Sequence, residues 1–309
     1  MSLSNSAARR RVSAVICTRN RPDMIRQAVT SVLANDHPDF DLTVIDQSTT
    51  DETRQAIADL VDNDPRLVYV HTVEAGLSRA YNTGVGRTTG DVLAFTDDDC
   101  IAPTDWLSTI VAAFEADDEA DLMYGQVVPA RLDDDSAVLT PLLAIEQPER
   151  LGRGHGFRVF GMGANFAARR RLFDRIGGFD EILGGGGPLK SSQDYDLAYR
   201  AYKAGSVIAL RPEVAIRHDG RREHADWPAL LKNYGIGDGA FYAKHVRCRD
   251  PYALWLLARR WGVGSAKFVA KWVLRRKPEE GPYLVGILTG IANSFKFRVD
   301  RHARLYVER

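Results

Sequence analysis

Three adjacent carboxylates, Asp97-Asp98-Asp99, follow the apolar run Val92-Leu93-Ala94-Phe95 and precede Pro103, which opens a helical pattern. Like charges crowded at the end of a buried strand repel one another. The arrangement persists only where something positive sits among the oxygens. Hard oxygen ligands suit magnesium or manganese, which commonly bridge such carboxylates to a phosphate. A calcium loop would need a glycine and a distal glutamate that this spacing lacks. Asp133-Asp134-Asp135 has the same composition but no buried strand before it, and reads as a solvated acidic turn.

The elements that must position those aspartates alternate in type. Val12–Cys17, Leu42–Ile45, Leu67–Val70 and Val92–Phe95 read as buried strands. Pro22 suits the first turn of a helix striped with Ile25, Ala28, Val29, Val32 and Leu33. A second helix carries Ile57, Leu60 and Val61, and a third lies around Ser78–Gly86. Repeated β-α-β units imply a parallel sheet covered on both faces, with right-handed crossovers. Ligands bind such sheets at the carboxyl ends of the strands, so Asp46 and Asp97–Asp99 are expected to converge on one crevice. After Asp121 the pattern changes to shorter strands and loops, with a helix from about Gln193 to Ala204 and strands near Val207–Leu210 and Val214–Ile216. Gly184–Gly187 reads as a mobile segment, because glycine restricts the backbone least. From Trp227 onward the chain reads as helical.

The bulk composition, 309 residues with 45% hydrophobic and 27% charged, fits an ordinary globular chain of two domains or one domain with an appendage. Three scattered cysteines without CxxC or His-rich spacing predict reduced thiols, no zinc site and a cytoplasmic setting. Residues 1–11 are polar and basic and predict no signal peptide. No apolar run approaches the roughly 18 residues that span a bilayer. Charge is segregated: residues 1–225 hold 25 Lys and Arg against 34 Asp and Glu, and residues 226–309 hold 16 against 7. The two parts therefore stand at −9 and +9. A basic block of this kind meets an anionic partner, such as a membrane surface, a lipid phosphate or nucleic acid, or else neutralises its own chain.

Several segments carry a resemblance. Val44-Ile45-Asp46-Gln47-Ser48-Thr49-Thr50-Asp51 resembles the V-V-D-N-G-S-T-D segment of family 2 glycosyltransferases. Gly76–Gly84 followed by Gly90–Phe95 is similar to that family's approach to its Asp-x-Asp signature, here Asp97–Asp99. Gly177-Gly178-Phe179-Asp180-Glu181 resembles its G-G-F-D-E, and Gln193-Asp194-Tyr195-Asp196-Leu197 its E-D-x-D-L. The resemblance runs in matching order over roughly residues 12–220.

It implies an α/β protein of the GT-A fold over residues 1–225, with a Rossmann-like nucleotide-binding half at about 12–120 and a mixed-sheet acceptor half at about 121–225. A basic, mostly helical extension then occupies 226–309. It implies an inverting, hexosyltransferase-like transfer from a nucleoside-diphosphate sugar, UDP-sugars favoured, with Mn2+ or Mg2+ on the diphosphate. Thr18 and Arg19 would line the nucleotide site, Asp46 would meet the base or ribose, and Arg79 the base or phosphates. Asp97 would face the nucleotide or sugar, Asp97 or Asp98 the ribose, and Asp99 the metal. His218 would complete the metal shell, a plain polar strand end being the other reading. Asp194 would be the general base, with its charge favoured by a helix N-terminus, although Ser191–Asp194 also reads as a capping box. Gln193 stands where the family usually has glutamate. Gly163-Ala164-Asn165 is expected to position the sugar or acceptor, or to form a tight turn.

The acceptor class (saccharide, lipid or small molecule) is left open, as are two rivals: nucleotidyl transfer and sugar-nucleotide binding without turnover. No nucleic-acid partner is expected. The tryptophans and cations of the extension, among them Trp255, Arg259, Arg260, Lys267, Trp272, Arg275, Arg276 and Lys277, predict either peripheral contact with the inner face of an anionic membrane or packing on the domain.

Overall fold

A computed structural model of the chain describes residues 10–130, 138–139, 142–152, 154–158, 161–220 and 222–308. The acidic turn expected at Asp133–Asp135 and most of the basic start at residues 1–11 lie outside the described residues. Strands β1 (Val12–Thr18), β2 (Phe40–Asp46), β3 (Leu67–His71) and β4 (Val92–Asp97) are parallel, in the order β3-β2-β1-β4. Helices α1 (Pro22–Leu33), α2 (Glu52–Ala56), α3 (Ala58–Asn63) and α4 (Leu77–Arg87) form the crossovers. Every residue of β1 is buried, as a sheet covered on both faces requires. The apolar stripe read from α1 is its buried face. The second expected helix is broken at Ile57 into α2 and α3, and Ile57 is the one member of its stripe fully buried.

The sheet then turns mixed. β5 (Cys100–Ile101) and helix α5 (Trp106–Ala116) precede β6 (Ala120–Pro129), followed by β7 (Val138–Leu139), β8 (Glu149–Leu151) and β9 (Asn165–Arg169). Helices α6 (Arg170–Ile176) and α7 (Gln193–Lys203) lead to β10 (Val207–His218), and β11 (Arg222–Glu223) pairs with β7. β9 lies antiparallel between β4 and β6, β10 runs parallel to β6, and β5 and β8 flank β10 in antiparallel fashion. The two strands expected near Val207 and Val214 are one. The register against β6 slips between Arg211 and Ala215, and the bulge's carbonyls find side chains: Gln126 donates to Pro212 O and Asn165 to Val214 O. Asn165 is fully buried in this scaffold, which corrects the expectation that it meets a sugar.

The Gly184–Gly187 segment is likewise not a free lid. Gly184 and Gly186 adopt φ of +103° and +75°, where an L side chain is strained. The turn they allow is tied down by Leu77 N–H to Gly185 O, Gly187 N–H to Gly184 O and Ser78 Oγ–H to Leu183 O.

The extension comprises α8 (Trp227–Arg247), α9 (Pro251–Val273), α10 (Gly281–Ser294) and a closing hairpin, β12 (Arg298–Asp300) with β13 (Leu305–Val307), which the sequence reading missed. No helix among the described residues is long and apolar enough to cross a membrane. α8 and α10 meet backbone to backbone, because a Cβ at Gly235 or Gly286 would overlap the facing helix. Phe241, Tyr242, Ala253 and Leu256 share a cluster with Phe95, Phe166, Leu197 and Tyr199 of the sheet and α7. Beneath α8, Lys244 Nζ lies 2.5 Å from Asp180 Oδ2 and 2.7 Å from Asp196 Oδ1, all three side chains fully buried. Arg200 and His245 also donate to Asp196, and the backbone N–H of Tyr306 donates to Asp180. Burial opposes the charge on Asp196, but Lys244 and Arg200 outweigh it and hold the carboxyl well below its ordinary range.

Removing Lys244 leaves the buried Asp180 without a cation and Asp196 with Arg200 and His245 alone. Lys244→Met is expected to cost about 3–5 kcal/mol in urea unfolding followed by circular dichroism. A loss below about 1 kcal/mol, the scale of a surface pair, would contradict a network that binds the extension to the core.

Candidate active site

β1, β2 and β4 end at one sheet edge, with Thr18 opposite Asp46 and Cys17 opposite Asp97. Asp98 and Asp99 form the turn into β5. Because β5 pairs with the end of β10, Cys100 faces His218, and that register sets His218 beside Asp99. The three carboxylates then diverge. Asp98 is buried and turned toward β1, accepting from Thr18 Oγ1 at 2.7 Å and Arg21 Nη1 at 2.8 Å. Asp99 Oδ2 accepts from the same Arg21 nitrogen at 3.0 Å. Asp97 opens into a cavity of about 810 Å³ that Tyr81, Tyr124, Gly163, Asp194, His218 and Asp238 also line.

Arg21 is therefore the chain's own cation among the acids, and the sequence reading missed it. The resemblance points instead to Arg19, two residues earlier. The signal lay in the demand for positive charge and in Pro22, which starts α1 and fixes the backbone next to Arg21. One guanidinium does not discharge the cluster. Burial, then the charges of Asp99 and Asp98, push Asp97 up to about 8. Asp98 is raised by burial against the pull of Arg21. Asp194 is raised by burial too, partly offset by the Tyr195 N–H that its Oδ1 accepts at 2.9 Å.

The arrangement fits a hard divalent cation. Asp99 Oδ1 is buried without a hydrogen-bond partner, and His218 Nε2 lies 3.3 Å from it. The ligand atoms of Asp99, Cys100 and His218 lie within 4.8 Å of one another. Burial, Asp97 and Asp99 raise the Cys100 thiol well above its ordinary value, so it stays protonated and leaves a carboxylate–imidazole pair. Gly220 N–H donates to His218 Nδ1 at 2.9 Å, which orients the ring and puts the proton of a neutral imidazole on Nε2, so a cation at Nε2 would require the other tautomer and the loss of this bond. A Cβ at position 220 would overlap both His218 and Asp99, so only glycine closes this turn.

Other expected site residues are engaged elsewhere. Asp46 is fully buried, accepting from Ser48 N–H at 2.7 Å and Tyr69 Oη–H at 2.6 Å, so it shapes the turn after β2 rather than facing the cleft. Arg79 is held by Glu74, Glu181 and Glu308 at 2.7, 3.2 and 3.0 Å. Arg19 is exposed, with its guanidinium near Gly186. The capping box is absent: Ser192 caps α7 without a side-chain cap bond, and its hydroxyl donates instead to Asp238 at 2.8 Å. Asp238 also accepts from Tyr283 at 2.5 Å, and Tyr283 Oη accepts from Arg260 at 2.7 Å. This chain runs through α7, α8, α10 and α9, so the extension builds one wall of the cavity, together with Trp227, Leu230, Leu231 and Tyr234. Tyr81 was also missed. It is fully buried, and its Oη has no hydrogen-bond partner although it lines the cavity with Asp97 and Asp194.

Residues 13–177, more than half of the chain, match the model of glycosyl transferase family 2. The chain belongs to that family. The family 2 glycosyltransferase is 29% identical over 250 residues to a glucosyl-dolichyl phosphate glucuronosyltransferase of Haloferax volcanii, covering 76% of this chain and 77% of the relative. It is 26% identical over 248 residues to the pre-mycofactocin glycosyltransferase of Mycobacterium tuberculosis, covering 76% of this chain and 48%, about half, of that protein. In fold it matches the mannosyltransferase PcManGT of Pyrobaculum calidifontis, solved with GDP-Man and Mn2+, at a TM-score of 0.60 and 18% identity over 94% of this chain and 87% of that one. It also matches S. aureus TarS 1–349 in complex with UDP-GlcNAc, at 0.61 and 18% identity over 92% and 81%. The fold is GT-A with a helical C-terminal part.

The elevated Asp97 gives a pH test. An acid whose pKa is raised by folding adds stability that is complete below its unfolded value of 3.8 and is lost as pH rises through about 8. In EDTA, the melting temperature of Asp97→Asn is expected to gain on the wild type as pH climbs from 5 to about 8. A difference that stays constant across that window would contradict the assignment.

Proposed function

We propose that the protein is a metal-dependent, inverting glycosyltransferase that moves a sugar from a nucleoside diphosphate, a UDP-sugar favoured, to an acceptor hydroxyl. One observation carries the reading: Asp97, His218 and Asp194 line a single cavity although they come from β4, β10 and α7, and Asp99 lies 3.3 Å from His218. Asp99 and His218 would hold Mn2+ or Mg2+. When bound, such an ion stabilises charge on the departing diphosphate.

The chain's own groups supply the rest. Asp97 faces the cavity from the nucleotide half and is suited to a ribose or sugar hydroxyl. Asp98, Thr18 and Arg21 hold the turn that carries Asp97 and Asp99. Asp46 supports the floor of the nucleotide site, while Arg19 lies near the rim at Gly186. Arg79, in its present carboxylate clamp, acts on the position of α4 rather than on phosphate. Asp194 is the general base: its Oδ1 is fixed by Tyr195 N–H, and burial raises its affinity for the proton of the attacking hydroxyl. Tyr81 Oη donates to a hydroxyl of the bound sugar. The acceptor enters along the wall built by α8–α10. Among acceptor classes, saccharide, lipid and small molecule share the hydroxyl that Asp194 requires.

Two variants separate chemistry from binding. In a donor panel assayed for nucleoside diphosphate release with Mn2+, Asp194→Asn is expected to lower kcat by about 10²–10⁴ with little change in donor KM. Turnover that survives Asp194→Asn would remove the base assignment. Tyr81→Phe deletes one neutral hydrogen bond, worth about 0.5–1.5 kcal/mol, so kcat/KM should fall roughly 2- to 12-fold while the melting temperature holds or rises. An unchanged kcat/KM would show that Tyr81 does not touch the sugar.

A further inference from the structure

α9 is a helix of 23 residues in which only Ala253 and Leu256 are buried. Its protein-facing line is identifiable from its contacts: Arg260 bonds Tyr283, Gly264 sits against Leu284, and Lys271 pairs with Glu280. The opposite line faces away from the molecule, and nothing lies within 4 Å of a Cβ built on Gly262 there. That outward face is apolar. Leu254 and Trp255 are each 53% exposed, Val269 54%, Trp272 69% and Val273 65%. Trp255 and Val273 are separated by 18 residues, about five turns at 3.6 residues per turn, and so share one stripe with Val269 between them. A surface helix normally buries such a stripe in its own protein. Here the stripe is turned outward and edged by cations: Arg259, whose guanidinium sits 5.6 Å over the Trp255 ring, and Arg275-Arg276-Lys277 after the helix end.

We propose that the outward face of α9 is a docking surface for an anionic lipid bilayer, with Trp255, Val269, Trp272 and Val273 in the headgroup region and the flanking cations on lipid phosphates. Charge decides the occupant. The segment 226–309 carries 16 Lys and Arg against 7 Asp and Glu, so a second copy pairing through this face would set arginines against arginines. A bilayer surface offers the complementary sign together with an apolar layer at shallow depth. The proposal does not depend on the chemistry assigned to the cavity. It does have a consequence for it, because Arg260 on the inner line of the same helix lines that cavity, so a docked α9 would hold the site near the headgroups.

The test uses the full chain and vesicles of either phosphatidylcholine alone or phosphatidylcholine and phosphatidylglycerol in equal parts. Flotation at low salt is expected with the anionic vesicles and not with the neutral ones, accompanied by a blue shift of tryptophan emission. Neutralising Arg275, Arg276 and Lys277 to Gln should weaken binding by roughly fivefold per cation. Trp255→Glu with Trp272→Glu should abolish flotation while the melting temperature and donor hydrolysis stay at wild-type levels. Three results would overturn the proposal: no flotation with anionic vesicles at low salt, undiminished flotation by the double Glu variant, or a concentration-dependent dimer that the same variant converts to monomer.

Discussion

Three carboxylates in one turn, at the buried end of β4, repel one another where water screens poorly, and much of the neighbouring structure answers that repulsion. Asp98 is drawn off toward β1 by Thr18 and Arg21, while Asp99 shares Arg21 and leans on the end of β10. Asp97 is left facing the cavity with its proton affinity raised, to about 8. The β5–β10 pairing is what makes the division possible, since it brings His218 from the far end of the chain to Asp99. A cluster so arranged is short of positive charge, which the proposed dication would supply.

The helical extension is part of this account rather than an addition to it. Lys244 on α8 bridges Asp180 and Asp196, with Arg200 supplying the second charge, and Asp196 sits half a turn along α7 from Asp194. The Ser192–Asp238–Tyr283–Arg260 chain then joins the start of α7 to all three long helices. Packing of the extension and accuracy of the site are thus coupled through one short helix. The same helices leave an apolar, cation-edged face outside.

How much of this was legible beforehand can be judged residue by residue. The strands of the nucleotide half, the stripe of α1 and the convergence of the aspartates followed from period and from strand ends, which are local properties. Asp99, His218 and Asp194 were named through the family resemblance; His218 and Asp194 line one cavity, and Asp99 lies beside His218. What was not legible depended on distant partners. Asp46 gives its oxygens to Ser48 and Tyr69, and Arg79 is held by three acids, one of them Glu308 near the chain end. Gly184–Gly187 looked mobile because composition does not show that Leu77 and Ser78 tether it. Asn165 is absorbed by a bulge that the sequence presents as two strands. Arg21 and Tyr81 were missed because their roles come from the groups around them.

The central claim is that the acid cluster takes up a dication through Asp99 and surrenders a proton in doing so. Calorimetric titration of Mn2+ into the full chain at neutral pH, repeated in two buffers of different ionisation enthalpy, measures both quantities together. With Asp97 largely protonated beforehand, binding should release about one proton per ion and should be lost in Asp99→Ala. Absence of binding, or binding without proton release that Asp99→Ala leaves intact, would contradict the account.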